Sequence, residues 1–316
     1  EIDDYLFNFP DFLAHHDKYL KKMRPFVSKL MNASDALSVS TQNLADRLAC
    51  FNKNIFVTPN YSEQKTKVVN HEDVKPSNIT IICGSSDAVD FSFIVNPLKK
   101  LSNKYQFSIV VIGPPGDFLE NNGLKVIKRA LMSHDEFKNY IASFDNAIGI
   151  IPLDTSDFSS CKSAIKFFDF STSGLPSVCS NVDPYKSVIK HRVNGLLVDE
   201  NKDEDWYLHI ESLILSASLR RDLSTNANKF VMNNHNLDLS AKSWFELISS
   251  LDIKSRSRMT NIRKLKLTYI CNVLRTSLYL LFKKSSYVKI YKIYKTQGLR
   301  VLYKKISNKL FHFTNY

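Results

Sequence analysis

The chain has 316 residues, 44% of them hydrophobic, and a formal net charge of +12. This length and composition allow a sizeable buried core, and we expect one or two domains plus an extension. The cysteines are odd in number and lack C-x-x-C spacing, which argues for a reducing compartment and against a zinc site; they are Cys50, Cys83, Cys161, Cys179 and Cys271.

The first 60 residues contain two apolar runs that predict strands, Leu37–Ser40 and Ile55–Thr58. A complete α/β domain needs several more strand–helix units, so residues 1–60 are interpreted as the end of an N-terminal domain. The chain opens on Glu1 in mid-motif, without the charged and apolar regions of a signal peptide, and we expect its natural N-terminus to be missing. Residues 61–76 are polar, carry mixed charge and end in a proline, which predicts a linker.

Residues 77–252 alternate between short, continuous apolar runs and helical stretches such as Asp135–Phe144 and Asp203–Ala217. Continuous apolar runs are typical of strands buried on both faces, so this pattern predicts a Rossmann-like, doubly wound α/β domain with a parallel sheet. Ligands of such sheets bind beyond the carboxyl ends of the strands. The predicted strands are Ile79–Cys83, Ser108–Gly113, Leu124–Lys128, Ala147–Ile151, Ser177–Ser180 and Gly195–Val198.

The segment FSSCKSAIKFFDFSTSGLPSVCS, residues 158–180, predicts one helix that leads through a glycine turn to a strand. Ser159 and Ser160 would cap the helix, whose free N–H groups make an anion site. Lys162 and Lys166 would share one helix face, with Asp169 further along. This arrangement suits a nucleotide diphosphate, whose ribose hydroxyl would bond to the carboxylate. The alternative is a solvated helix face without a ligand.

Residues 253–316 contain sixteen Lys and Arg and no Asp or Glu, so they carry the whole basic excess of the chain. Aromatic and aliphatic residues alternate with the cations, which predicts basic amphipathic helices that bind an anionic membrane surface. The longest uncharged stretch is too short to span a membrane, and Arg275 interrupts it. A basic tail with aromatics also suits nucleic acid, but the amphipathic period and the lack of a recognised module make that partner unlikely.

Three segments together resemble the retaining GT-B glycosyltransferases of family 4, of the group 1 type. They are residues 158–180 followed by VNGLLVDE at 193–200, the passage SDALSVSTQNLADRLACFNKNIFVTPN at 34–60, and EIDDYLF at 1–7. The resemblance covers roughly residues 1–250. It implies a GT-B fold in which 77–252 is the donor-binding domain, 1–60 closes a partial acceptor domain, and 253–316 is a basic helical tail.

By this resemblance the donor-binding residues are Gly84, Ser85, Ser159, Ser160, Lys162, Ser163, Lys166 and Asp169. Family members often carry Glu-x7-Glu across the helix, and those positions are Cys161 and Asp169 in this chain. The basic pair that the family tends to place after its first donor-domain strand is also absent, since Ser85 and Ser86 follow Gly84. These departures motivate an alternative, a catalytically degenerate scaffold that binds a nucleotide or a partner.

The resemblance implies transfer of a sugar from a nucleotide diphosphate sugar to a surface polysaccharide or a lipid-linked glycan, without a metal or another cofactor. We therefore expect a cytoplasmic protein held peripherally on the inner face of the cell membrane by 253–316. The catalytic residues are unknown at this stage, because the acceptor part is largely missing. Asp3 and Asp4 are interpreted as the start of a loop near the cleft, and His134 as a helix cap or surface residue.

Overall fold

A parallel six-stranded sheet with helices on both faces forms the centre of the computed structural model, which describes residues 1–8, 14–62, 67, 71–85 and 88–251. The strands follow the order β5-β4-β3-β6-β7-β8. Their bounds are Thr80–Gly84 (β3), Ser108–Ile112 (β4), Ile127–Arg129 (β5), Ala147–Ile151 (β6), Ser177–Ser180 (β7) and Leu196–Val198 (β8). All neighbouring strands are parallel, which confirms the predicted doubly wound sheet.

Alternate strand residues face two separate apolar layers, so the sheet is covered on both sides. On β3, Ile81 and Cys83 pack into one layer with Trp206, while Ile82 packs into the other with Phe167. Helices Ser92–Lys104 (α3) and Asp203–Leu215 (α9) cover the first face, and His134–Ala142 (α5), Ile165–Thr172 (α7) and Ala217–Asn234 (α10) cover the second. Two short helices, Pro115–Asn121 (α4) and Tyr185–Val188 (α8), fill connections.

The strand predictions are correct for Ala147–Ile151 and Ser177–Ser180 and shifted by one residue or so for most others. The largest error is β5, which begins at Ile127 and not at Leu124. Leu124 is buried in the core, but all three residues of β5 are exposed at the sheet edge, so burial was a poor guide to the position of this strand. The predicted helix Asp203–Ala217 ends at Leu215, because Ser216 caps the next helix.

A small second sheet is formed by Leu37–Val39 (β1) and Ile55–Val57 (β2), which pair in parallel; both strands were predicted from the apolar runs, each one residue longer. Ile2 forms a further parallel bridge to Val39. Helices Ala14–Ala33 (α1) and Gln42–Leu48 (α2) belong to the same part, and α1 was not among the predicted elements. The core of this part also includes Cys161, which lies far away in sequence, between β6 and β7.

Part of the predicted linker 61–76 is described, and it makes specific contacts. The backbone N–H of Ser62 donates to His235 O at 3.0 Å, and that of Lys67 donates to Thr172 O at 3.1 Å. His71 is fully buried, and its Nε2 lies 3.0 Å from Gly174 O. After α10, helix Leu237–Ser250 (α11) closes the described chain. The predicted domain limits stay a prediction, and the basic tail 253–316 lies outside the described residues.

Candidate functional site

The order of the strands reverses between β3 and β6, which places a crevice at the carboxyl ends of these two strands. Gly84 ends β3, and the N–H of Ser85 donates to Ile112 O at 3.2 Å. Gly113, with φ +89°, follows β4, and a Cβ on it would lie 2.4 Å from Ser85 O. The turns after β3 and β4 are therefore packed tightly against each other, and their backbone lines this end of the sheet.

A buried network of hydrogen bonds supports the loop after β6. Asp90 is buried, and its Oδ1 accepts from the N–H of Asp154 at 2.9 Å. The hydroxyl of Ser159 donates to Asp154 Oδ2 at 2.7 Å. Burial favours the protonated form of Asp154, but hydrogen bonds from Ser156 and Ser159 outweigh it and hold the pKa of this carboxyl below its usual range. Ser159, which is 1% exposed, therefore faces this network and not the solvent.

The helix predicted from Ser159 to the glycine turn is wrong, because the chain forms two helices here. The first is a single turn, Asp157–Ser160 (α6), and α7 begins only at Ile165. In one continuous helix the carbonyls of Ser160 and Cys161 would accept from N–H groups four residues later. Instead they accept from two side chains of the small N-terminal part, Asn43 Nδ2 at 3.0 Å and Thr41 Oγ1 at 2.9 Å.

This break creates a second helix N-terminus inside the site. Lys162 and Ser163 lie in the turn between the two helices, and Lys166 lies in the first turn of α7. The first N–H groups of a helix have no intrahelical acceptor, and the helix dipole adds positive potential there. The sequence predicted that Lys162 and Lys166 share one helix face, and this is wrong, because Lys162 precedes α7. Both lysines nevertheless lie close to the start of α7. Asn60 Nδ2 donates to Ser163 Oγ at 2.8 Å, so residues after β2 also reach this turn.

The charges of the two lysines act on different parts of the crevice. Burial raises the pKa of the Cys83 thiol to about 12, and the charge of Lys166 opposes this rise. Lys166 is therefore near the carboxyl end of β3, where Gly84 and Ser85 lie. The ammonium of Lys162 lies 4.7 Å from the ring centroid of Phe158.

Lys162 also acts on Asp4, in the N-terminal segment that Ile2 joins to β1. Burial raises the pKa of the Asp4 carboxyl, and the charge of Lys162 opposes this effect. Asp3 lies beside the same strand end, since Ser40 Oγ donates to Asp3 O at 3.4 Å. The Asp3–Asp4 segment is thus near Lys162 and the end of β1, and its interpretation as a loop near the cleft stays a prediction.

Asp169 lies on α7 one turn after Lys166, and its side chain is only 2% exposed. Its Oδ2 accepts from His134 Nε2 at 2.9 Å, while Oδ1 is buried and has no hydrogen-bond partner among the described residues. The contact with His134 could not be read from the sequence, because 35 residues separate the pair and the histidine looked like a simple helix start. Cys161, at the position where the resemblance expected a glutamate, is fully buried.

Of the predicted donor-binding residues, the structure brings Gly84, Ser85, Lys162, Ser163 and Lys166 to the crevice or the start of α7. The remaining three are placed differently. Ser159 is buried in the network around Asp154, Ser160 ends α6 with its hydroxyl donating to Asp157 O, and Asp169 is buried beside His134. Within the described part of the chain, no group of three or more His, Cys, Asp or Glu side chains could hold a metal ion. No described helix is both long enough and apolar enough to cross a bilayer.

Residues 165–230 match the model of the family described as "Glycosyl transferases group 1". The matched range starts at the first residue of α7 and ends in α10, so it includes Lys166 and Asp169. No curated protein matches the sequence significantly.

Several solved structures share the fold. A TarM variant from S. aureus, solved with fondaparinux, alpha-GlcNAc-glycerol and UDP, has a TM-score of 0.55 at 16% identity, covering 72% of this chain and 47% of TarM. A glycosyltransferase from Rickettsia africae has a TM-score of 0.55 at 15% identity, covering 79% of this chain and 69% of its own. The pneumococcal O-GlcNAc transferase GtfA, solved with UDP and GlcNAc, has a TM-score of 0.51 at 13% identity, covering 68% and 45%.

The fold is therefore that of the GT-B glycosyltransferases, and residues 165–230 match the group 1 glycosyltransferase family. The chain spans less than half the length of TarM and of GtfA.

Proposed function

We propose that the chain is part of a glycosyltransferase that binds a nucleotide diphosphate sugar in the crevice at the carboxyl ends of β3 and β6. The observation that carries this proposal is the start of α7. There a helix N-terminus carries Lys166, whose charge acts on Cys83 of β3, inside the range that matches the group 1 glycosyltransferase family. A diphosphate is the ligand that this combination of free N–H groups and fixed cations suits best.

Transfer of the sugar breaks its bond to the diphosphate, so negative charge grows on the leaving oxygen. Lys166 and the N–H groups at the start of α7 are positioned to stabilise that charge, and Lys162 adds a second cation in the preceding turn. Fixed cations and dipoles of this kind lower the barrier because they need no reorganisation as the bond breaks. The sugar acceptor would enter from the side of the small N-terminal part, which reaches the turn before α7 through the bond from Asn60 to Ser163.

The finer features of the proposal rest on the resemblance and on the solved relatives. TarM and GtfA were solved with UDP, which makes UDP the first nucleotide to test. Membership of family 4, retention of the anomeric configuration and a polysaccharide or lipid-linked acceptor follow from the resemblance. Attachment to the inner face of the cell membrane rests on the sixteen cations of residues 253–316.

One observation favours a second candidate, a GT-B scaffold that binds a nucleotide without turnover. The position at which family members often carry a glutamate is Cys161, whose thiol is fully buried in the small N-terminal core. Burial also raises the pKa of this thiol, so Cys161 supplies no negative charge to the crevice. A scaffold of this kind would bind a nucleotide or a sugar nucleotide but would not cleave the bond between the sugar and the diphosphate.

Calorimetric titration of the full chain with UDP, GDP and ADP tests the donor site. We expect saturable binding of one nucleotide that Lys166→Ala and Lys162→Ala each weaken by about 1.5–3 kcal/mol, the value of a charge-assisted hydrogen bond. Lys229→Ala, an exposed lysine on α10, is the matched control and should leave the affinity unchanged. Binding that is insensitive to both site lysines would place the nucleotide elsewhere.

Incubation with the sugar form of the nucleotide that binds separates the two candidate functions. Release of free nucleotide, in the presence or absence of a sugar acceptor, is expected of the transferase. Tight binding without any release supports the scaffold.

A further inference from the structure

One fully buried histidine is not used by the proposed donor site. His71 belongs to the stretch predicted as a linker, and its Nε2 lies 3.0 Å from the carbonyl oxygen of Gly174, in the turn from α7 to β7. A carbonyl only accepts hydrogen bonds, so Nε2 donates and carries the ring proton. The other ring nitrogen, Nδ1, is also buried and has no hydrogen-bond partner among the described residues.

Two arginines of α10 hold the backbone around this histidine. Arg221 Nη2 donates to His71 O at 2.8 Å, and Arg220 Nη2 donates to Glu72 O at 2.7 Å. Arg220 is only 1% exposed, and its Nη1 donates at 2.7 Å to a carbonyl in the last turn of α9. These contacts join the linker to α9, to α10 and to the turn after α7. We call the residues that make them the latch: His71, Glu72, Gly174, Arg220 and Arg221.

The charged groups of the described chain that act on the imidazole are all positive. Burial lowers the pKa of His71, and the two arginines of the latch and Lys67 lower it further, while the bond to Gly174 opposes them. The turn from α7 to β7 brings no charged side chain, and Asp73, next to the latch in sequence, acts on Arg220. A second ring proton, on Nδ1, would therefore be buried beside two guanidinium groups and without an acceptor among the described residues.

We propose that the latch is a pH-sensitive device, which holds the linker on α10 and on the turn after α7 while the His71 ring is neutral and releases it when the ring is protonated. In the closed latch the pKa of this ring lies below its ordinary value of 6.5, so the open latch binds more protons in acid. The closed latch therefore has its full stability above the ordinary pKa of histidine and loses it as the pH falls below that value. The equilibrium constant for opening should rise there by up to about tenfold per pH unit.

Opening of the latch would act on the helix that carries Lys166. Gly174 follows the C-cap of α7, and its carbonyl would lose the donor that His71 provides. The nucleotide affinity of the wild-type chain should therefore fall more between about pH 7.5 and about pH 5.5 than that of His71→Gln, which cannot take up a proton in this range. This consequence alone rests on the proposed function. Equal falls in the two chains would reject it and leave the latch standing.

Hydrogen exchange measured by mass spectrometry over the same pH range tests the latch itself, with rates corrected for the intrinsic effect of pH. In the wild-type chain, peptides that contain residues 71–74 or 171–176 should lose protection in acid by up to about tenfold per pH unit. His71→Gln keeps a side-chain N–H donor for Gly174 O and should stay protected throughout. His209→Gln is the matched control, because burial also lowers the pKa of His209 but its ring lies against His191; it should behave as wild type.

An NMR titration of the histidine rings gives a second measurement, which needs no variant. The ring of His71 should stay neutral at pH values at which an exposed histidine is protonated, and it should take up its proton only together with the loss of protection at 171–176. Protection that does not change with pH in the wild-type chain would overturn the proposal, and so would an equal loss in wild type and His71→Gln. A His71 ring that titrates with the ordinary pKa of histidine while 171–176 stays protected would overturn it as well.

Discussion

Thr41→Val tests whether the break between α6 and α7 is held by the N-terminal part of the chain. The hydroxyl of Thr41 makes two hydrogen bonds, accepting from the N–H of Leu44 as the cap of α2 and donating to the carbonyl of Cys161 at 2.9 Å. Valine has the same shape but can make neither bond. Loss of the cap costs about 1 kcal/mol. The carbonyl of Cys161, in a fully buried residue, would lose its partner, which costs about 1–3 kcal/mol.

Together the two losses predict a decrease in the free energy of unfolding of about 2–4 kcal/mol. Urea denaturation followed by circular dichroism measures it, and Thr41→Ser, which keeps the hydroxyl, should cost less than about 1 kcal/mol. Thr41→Val should also weaken nucleotide binding, because the turn that carries Lys162 loses the hydrogen bond from Thr41 to the carbonyl of Cys161. A Thr41→Val chain within about 0.5 kcal/mol of wild type would refute this account of the helix break.

Three further predictions concern other parts of the chain. Gly113→Ala should lower the free energy of unfolding by about 1–3 kcal/mol, since φ is positive there and the Cβ meets a backbone oxygen; a melting temperature unchanged from wild type would contradict this. Asp169→Asn should shift the NMR titration of His134 to lower pH, because the bonded carboxylate favours the protonated imidazole and raises its pKa. The pair therefore stabilises the folded chain fully at pH values below the ordinary pKa of histidine, and this contribution is lost as the pH rises through the raised pKa of His134. A His134 titration that does not move would mean that the pair is not formed in solution. Deletion of residues 255–316 should abolish sedimentation with anionic vesicles while nucleotide affinity stays the same; loss of both would make the tail part of the donor domain.

The sequence was a good guide to the strands because their signal is local. A run such as Ala147–Ile151 is apolar throughout, and only a strand buried on both faces needs that composition. The parallel pairing of the six-stranded sheet follows from such runs and from the helices between them. The placement of Lys166 in a donor site stays a prediction, which rests on the resemblance of its neighbours in sequence to a known motif.

The features that escaped prediction depend on contacts between distant residues. The helix break at Cys161 exists because side chains 117 and 120 residues earlier take two of its carbonyls. The prediction that Ser159 and Ser160 cap the helix is wrong, because Ser156 caps α6 and α7 begins without a side-chain cap. The partner of Asp169 is similarly distant, and nothing in the neighbourhood of His134 indicates a carboxylate contact.

The bonds from Thr41, Asn43 and Asn60 to the turn before α7 have a consequence for the construction of chimeras. A recombination point between two relatives is usually chosen in a connecting loop, and the stretch around residue 61 would be the obvious place. A cut there would combine the turn between α6 and α7 of one parent with the side chains of the other parent that should hydrogen-bond to it. Chimeras of this protein should therefore exchange residues 41–60 and 156–166 as one block, although they are about a hundred residues apart in the chain.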